Sequence, residues 1–301
     1  MKRLPFITLA ATAVLISSAS ASTTTMEWVT VGNPGNAADT TGYGAVSYAY
    51  NIGKYEVTNA QYGEFLNAKG QSNSNGIYNA NMASFGITQS GTSGSFTYNL
   101  TGALANKPVV YVSWYDAARF ANWLLNGKGS GNMEDGAYTL SGNLGTPGVN
   151  PGVQIYLPSE DEWYKAAYYQ GSGTYSLYPN GLNTISTDDA NYGNLVGAST
   201  DVGSYAAPSF LGTYDQGGNV WEWNNLVFGG SRGYRGGAWN YNMETLRATD
   251  RYYFDPTLEN DHVGFRVASS IAAVPEPTSL LALAGLLGGG LSLRRRSKNS
   301  L

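Results

Sequence analysis

Cysteine is absent from the chain, and histidine occurs once, as His262. The first absence excludes disulfides, thiolate metal sites and cysteine nucleophiles. A domain outside the cytoplasm without disulfides must rest on its core or on bound ions. The second excludes any metal centre built from two or more imidazoles and leaves one candidate imidazole base. Charge is also sparse, at 13% of residues, and the 39 glycines and few helix formers argue against a helical bundle. What is abundant is aromatic: 23 tyrosines and seven tryptophans. That composition fits a globular, loop-rich domain with an aromatic core, not a disordered chain. No fixed repeat is visible, and one domain of roughly 250 residues is expected between the two ends.

Both ends read as targeting segments. Residues 1–21 have the form of a secretory signal: Lys2 and Arg3 are positive, Phe6 to Ile16 is largely apolar, and Ala19-Ser20-Ala21 offers a small-residue cleavage site at Ala19 and Ala21. At the other end, residues 274–301, Val274-Pro275-Glu276-Pro277 precedes an apolar or small stretch from Ser279 to Leu293 and then Arg294-Arg295-Arg296. A helix of roughly 15 residues is short for a hydrocarbon core of ~30 Å, but flanking arginines can snorkel and favour a cytoplasmic C-terminus. An ordinary tail anchor is one reading. The order of the parts closely resembles the PEP-CTERM sorting signal of Gram-negative bacteria. That resemblance implies recognition of Pro275, Glu276 and Pro277 by an exosortase-type membrane protease. It also implies a C-terminal helix held transiently in the inner membrane, and a destination in the cell envelope or medium. Removing both ends takes six of 17 basic and one of 21 acidic residues, leaving about −9 on residues 22–273. That charge opposes nucleic acid or anionic lipid as a partner.

Between the ends, Glu27 to Val31 alternates like a strand, and Tyr48 to Val57 reads as two short strands joined at Gly53. Thr58 and Gln61 form a capping box for a helix that buries Tyr62, Phe65 and Leu66. Residues 70–106 read as a long surface excursion with a small hairpin near Ser95 to Leu100. Pro108 to Val112 is expected to be a strand. Ser113 caps a helix from Trp114 to about Asn126, with Phe120, Ala121, Trp123 and Leu124 on its apolar side and Gly127 closing it. Ser159 and Glu162 form a second box, with three acids in the first turn, for a helix running to about Gln170. Val263 to Val267 reads as a final strand.

Chemistry concentrates in Asp215-Gln216-Gly217-Gly218-Asn219-Val220-Trp221-Glu222-Trp223. Two carboxylates bracket a Gly-Gly turn and two indoles flank the second. The turn is either buried core or a site of hard oxygen ligands for calcium; the EF-hand pattern is not matched. His262 reads as an exposed loop histidine. Arg235, Arg247, Arg251 and Arg266 read as partners for Glu56, Glu162 or Glu222, or as an anion clamp. Asn240-Tyr241-Asn242 and Tyr252-Tyr253-Phe254-Asp255 suit either adaptable recognition or a wet aromatic surface.

Five stretches occur in one order: Gly53 to Asn59, Pro108 to Ala117, Leu157 to Trp163, Asp215 to Trp223, and Arg235 to Trp239 with Gly264 to Val267. Together they resemble the sulfatase-modifying-factor family, the fold of formylglycine-generating enzyme, over about Trp28 to Ala268. The resemblance implies a single α+β domain with little regular structure, a variant of the C-type lectin fold. The family's oxidases hold copper with two cysteines just beyond the Gly-Gly-Ser-aromatic motif; those positions fall on Tyr241 and Leu246, and the motif's serine is Ala238. Trp221 and Arg247 match positions near the substrate cleft. A related branch uses iron held by several histidines, which one histidine cannot supply, so neither copper nor iron is expected. The family's calcium turn carries over to Asp215, Gly218, Val220 and Glu222, and a second calcium site begins at Asn191. Ligand-binding members of the fold use residues past the Gly-Gly motif, here Trp239 through Tyr253. The reading is an exported, non-catalytic, calcium-stabilised binding or structural module of the cell envelope. Its binding surface would hold Trp221, Trp239, Asn240, Tyr241, Asn242, Arg247, Tyr252 and Tyr253, and its ligand would be an extracellular polymer or protein. The alternative is an enzyme of altered chemistry in the same cleft.

Overall fold

The computed structural model describes residues 25–129, 131–141 and 145–271. Residues 1–21, read as a signal peptide, and the Pro275-Glu276-Pro277 tail lie outside the described residues. Among the described residues no helix is long and apolar enough to cross a membrane.

Three helices carry the packing. α1 (Asn59–Lys69) begins at the Thr58 and Gln61 capping box read in the sequence, and it buries Tyr62, Phe65 and Leu66. α2 (Trp114–Leu125) is boxed by Ser113 and Asp116 and buries all but Leu125. α3 (Glu160–Tyr168) is boxed by Ser159 and Glu162 and stops at Tyr169, where the backbone turns extended. It ends before Gln170 because Gln170 donates its amide to Thr174 across a tight return.

Short strands surround them. β1 (Trp28–Val31), β2 (Tyr50–Gly53), β5 (Ile155–Tyr156) and β10 (Ala268–Ser270) form one antiparallel sheet in the order β1-β2-β10-β5, so the two ends of the domain are sewn together. β3 (Ile87–Ser90) and β4 (Thr97–Leu100) make the small hairpin. β6 (Trp221–Phe228), β7 (Ser231–Arg235), β8 (Tyr252–Phe254) and β9 (Val263–Phe265) form the second large sheet, ordered β8-β7-β6-β9, with β6 and β9 parallel. The main core joins Tyr62, Phe65, Phe120, Trp123 and Phe265, whose rings meet edge-on or stacked at centroid distances of 5.3–6.4 Å.

Three expectations are corrected. Pro108 to Val112 makes only an isolated bridge, Thr58 to Pro108, because Tyr111 takes a left-handed φ of 60° that breaks an extended run. The second strand expected before Val57 does not form either; Val57 instead donates one amide to Phe265. The excursion over residues 70–106 is not merely surface. Ile77, Tyr78, Met82, Ile87 and Tyr98 turn inward and join the core.

Candidate functional site

The Gly-Gly turn is a clip between three distant segments. Gly218 donates its amide to the Gly236 carbonyl at 2.8 Å, Asn219 to the Asn191 carbonyl at 2.8 Å, and Trp239 to the Asn219 carbonyl at 2.9 Å. Asp215, Gly218 and Asn219 all adopt positive φ, of 60°, 82° and 57°. Asn219 also reaches sideways: its Nδ2 donates to Glu56 Oε1 at 3.0 Å and its Oδ1 accepts from the Thr200 amide at 2.9 Å.

Beyond the turn, β6 carries Glu222 into the interior. Its carboxylate accepts from Arg266 through two contacts, Nε to Oε2 at 2.5 Å and Nη2 to Oε1 at 2.6 Å, and from the Trp163 indole at 2.7 Å. Both partners of this ion pair are completely buried. The remaining guanidinium protons go to the carbonyls of Gly53, Tyr214 and Lys54, at 2.9, 2.8 and 3.3 Å. A bidentate, fully hydrogen-bonded pair of this kind is the condition under which two charges can be buried together. A second pair joins Arg235 to Glu160. Glu160 also accepts from Asn224, and Arg235 donates on to the Ala248 and Asp250 carbonyls. The sequence reading anticipated the partner of Arg266 but not that of Arg235. Glu162 instead accepts from the Tyr48 and Tyr156 hydroxyls at 3.1 and 2.8 Å.

For calcium, the geometry divides the expected ligands. Both oxygens of Glu222 accept from Arg266, which makes it a fold rivet and leaves it less free than Asp215 or Asn191. Asp215 and Asn191 fit a cation better. Asn191 Oδ1 is buried without a hydrogen-bond partner, as is Glu56 Oε2 near the same turn. Burial raises the Asp215 carboxyl to about 6, against the pull of the Gly203 amide and Arg266. Burial, then Asp215 and Glu222, push Glu56 well above the usual carboxylate range, and Arg266 opposes this. Three carboxyls, Glu56, Asp215 and Glu222, thus crowd around one guanidinium, which favours the neutral form of the first two. No group of three or more acidic, imidazole or thiol side chains is placed to hold a metal ion among the described residues.

The expected binding residues split between interior and surface. Trp221 is buried, and the rings of Tyr234, Tyr241 and Tyr252 meet it edge-on at 4.7, 5.4 and 5.2 Å. It is corrected from binding surface to backing layer. Trp239 and Tyr241 are half-buried, while Asn240, Asn242 and Tyr252 are exposed and Tyr253 is half-buried. Arg247 is half-buried, donating to the Tyr178 hydroxyl at 3.0 Å and pairing with Glu244. His262 is not the exposed residue expected. Its Nδ1 meets Asp261 at 2.7 Å, and its ring lies against Tyr241, whose hydroxyl is 3.4 Å from Nε2. Phe228 was missed in the sequence, whereas Phe254 lies in the aromatic stretch singled out there. Phe228 is 64% exposed and stacks on Tyr253 at 4.7 Å, and Phe254 continues the exposed edge of β8. β6 does not alternate: its first four residues are buried and its last two exposed, so no period-two signal marked Phe228.

Tyr241 and Leu246, on which the resemblance would place the family oxidases' two cysteines, are a phenol and an aliphatic side chain. Tyr241 packs on Trp221 and His262. Leu246 is fully buried in a cluster with Tyr178 and Ala190.

The mixed helix-and-sheet scaffold, with its clipped Gly-Gly turn and few regular strands, is that of the formylglycine-generating-enzyme and C-type-lectin-like class. Solved structures with this fold include Treponema denticola variable protein 1, with a TM-score of 0.56 at 21% identity over 81% of this chain and 94% of that one. CarF has a TM-score of 0.56 at 23% identity over 82% and 99%. A family model described as the sulfatase-modifying factor enzyme 1-like domain matches residues 17–271, and the chain belongs to that family. It is similar to hercynine oxygenase of Mycobacterium tuberculosis, 27% identical over 254 residues, covering 74% of this chain and 53% of that protein. It is also similar to the inactive C-alpha-formylglycine-generating enzyme 2 of Bos taurus, 25% identical over 177 residues, covering 56% and 52%. The chain thus spans about half the length of these two relatives.

Proposed function

We propose that the protein is an exported binding module of the bacterial cell envelope that uses this scaffold without its oxidase chemistry. One observation carries the proposal: the two positions of the copper thiolates are Tyr241, packed on Trp221 and His262, and Leu246, sealed in the interior. No thiolate ligand can come from a chain without cysteine. Kinship with a relative named as inactive supports the same reading. Export rests on the signal-like residues 1–21 and on Pro275, Glu276 and Pro277, with an exosortase-type protease as processing partner. The ligand, an extracellular polymer or protein, would meet Trp239, Asn240, Tyr241, Asn242, Arg247, Tyr252 and Tyr253, with Phe228 and Phe254 extending the aromatic edge. Tyrosine and phenylalanine offer wide contact at little entropy cost.

The test is an array of bacterial surface polysaccharides and envelope proteins probed with residues 22–273. A specific hit is expected to weaken about tenfold or more on Tyr252→Ala with Tyr253→Ala, the scale of a recognition hot spot. Because Tyr252 packs on Trp221 and Tyr253 on Phe228, the variant is compared at a temperature where its circular dichroism shows it folded. Signals that persist unchanged in the double variant would place recognition elsewhere.

Calcium belongs to the same proposal, held by Asp215 and the carbonyls of Gly218 and Val220, with Asn191 at a second place. When bound, the ion would offset carboxylate charge and order the turn; it supplies no reaction step. Calcium at a hundredfold excess over its dissociation constant is expected to add ~2.7 kcal/mol of stability relative to chelated protein. Identical melting curves with and without chelator would remove calcium from the account.

A further inference from the structure

Among the described residues, every arginine but one has a polar partner. Arg119, Arg235, Arg247 and Arg266 each pair with a carboxylate, and Arg232 donates to the carbonyls of Asn225 and Pro147. Arg251 does neither. It stands half-buried just before β8, the edge strand of the second large sheet. Its guanidinium lies over the rings of Tyr43 and Tyr253, at 4.4 and 5.3 Å from their centroids, and its Nη1 is buried without a hydrogen-bond partner. The acids next to it in the chain and next to Tyr43 are engaged elsewhere. Asp250 accepts from the Thr249 hydroxyl, and Asp39 from the Thr40 amide and the Tyr164 hydroxyl. Side chains alternate along β8. Tyr252 and Phe254 meet Tyr234 on one face. On the other, Tyr253 stands opposite Gly233 of β7 and stacks on the exposed Phe228. Tyr43, Arg251, Tyr253 and Phe228 therefore form a row with steps of 4.4, 5.3 and 4.7 Å. Each step is about the length of one sugar residue.

We propose that this row binds a polysaccharide of uronic acids, with one carboxylate on the Nε–Nη2 edge of Arg251 and neighbouring sugar rings against Tyr253 and Phe228. The proposal rests on the reading of the aromatic edge as a binding surface and names the chemistry of its ligand. A guanidinium without a counter-charge offers a planar fork that matches a carboxylate through two hydrogen bonds. Nη1 is turned inward, so the ligand meets the opposite edge. The two tyrosine rings already hold the side chain in place, which lowers the entropy lost on binding. A uronate carries its carboxylate directly on the ring, so the charge and the flat C–H face arrive together. An acidic peptide carries its carboxylate on a flexible side chain and has no such face. The net negative charge of the domain repels a polyanion at long range, and salt screens that repulsion. Recognition therefore comes from this short-range contact and the rings, not from a basic patch.

The test is titration calorimetry of the full chain with three probes of matched length: an oligogalacturonate, the same oligosaccharide with its carboxyls reduced to alcohols, and an oligoglutamate. The oligogalacturonate should bind about tenfold or more tighter than either of the others. Arg251→Gln should weaken it about tenfold, the scale of hydrogen bonds to a charged group, and leave the reduced oligosaccharide unaffected. Arg251→Lys keeps the charge but loses the fork, and should fall between. The reduced oligosaccharide removes the same contact with the protein unaltered, so the test does not hang on the variants folding. The proposal is overturned if the reduced oligosaccharide binds as tightly as the uronate, if the oligoglutamate binds more tightly than both, or if no probe gives saturable binding. Uronate binding that is lost in Tyr252→Ala with Tyr253→Ala but kept in Arg251→Gln also overturns it, while leaving the aromatic edge as the binding surface.

Discussion

Replacing Arg266 with methionine is expected to lower the unfolding free energy by about 3–5 kcal/mol, the usual cost of stripping one partner from a buried ion pair. Glu222 would remain charged and buried, with only the Trp163 indole as donor, and the carbonyls of Gly53 and Tyr214 would lose theirs. The pair also joins three parts of the chain that lie far apart in sequence: the end of β2, the Gly-Gly turn and the link from β9 to β10. The double variant Arg266→Met with Glu222→Met should recover much of the loss, because no charge is then left without a partner. Urea denaturation checks both. A loss below about 1 kcal/mol for the single variant would mean the pair is not the rivet described. Glu222→Gln adds a discriminating measurement. Its loss should be the same in chelator as in calcium; a loss that disappears in chelator would return Glu222 to the metal.

The second large effect is expected at Gly218. Its φ of 82° already costs an alanine ~1–2 kcal/mol. A Cβ there would also press into the backbone carbonyl of Asn191, the acceptor for the Asn219 amide. Backbone on both sides cannot move away as a flexible side chain can. Gly218→Ala should therefore cost ~3 kcal/mol or more, enough to remove most of a typical margin of stability. Gly193→Ala is the control. Its φ is 69°, but nothing lies within 4 Å of an added Cβ. It should lose only the conformational part, about 1–2 kcal/mol. Equal losses at the two glycines would show that the clip to Asn191 contributes nothing. Both can be read by thermal or urea unfolding.

The helices were legible because their signals are local. The boxes of Thr58 with Gln61 and Ser159 with Glu162 lie within four residues, and both form as read. Strands over residues 221–235 were less visible. Trp221 to Asn224 is buried residue after residue, so the alternation that marks a half-buried strand is absent. The same non-local problem hid the partners of charged residues. Arg235 and Glu160 are 75 positions apart and meet only because α3 packs on β6. Trp221 and His262 show the limit of composition as a guide to exposure. An indole in a Gly-rich turn and a histidine in a loop both looked accessible, and each is drawn inward by tyrosine rings. The site motif could be placed in order along the chain. That both oxygens of Glu222 face Arg266 could not be read without the packing.

The proposal that this scaffold works by binding and not by oxidation turns on what Tyr241 and Leu246 can do in place of thiolates. The direct measurement is incubation of the purified domain with copper, oxygen and a cysteine-containing peptide, followed by mass analysis and aldehyde capture with a hydrazide. The account predicts peptide recovered as the thiol, with no aldehyde above a protein-free control. Turnover of the cysteine to an aldehyde, dependent on the folded protein, would contradict it.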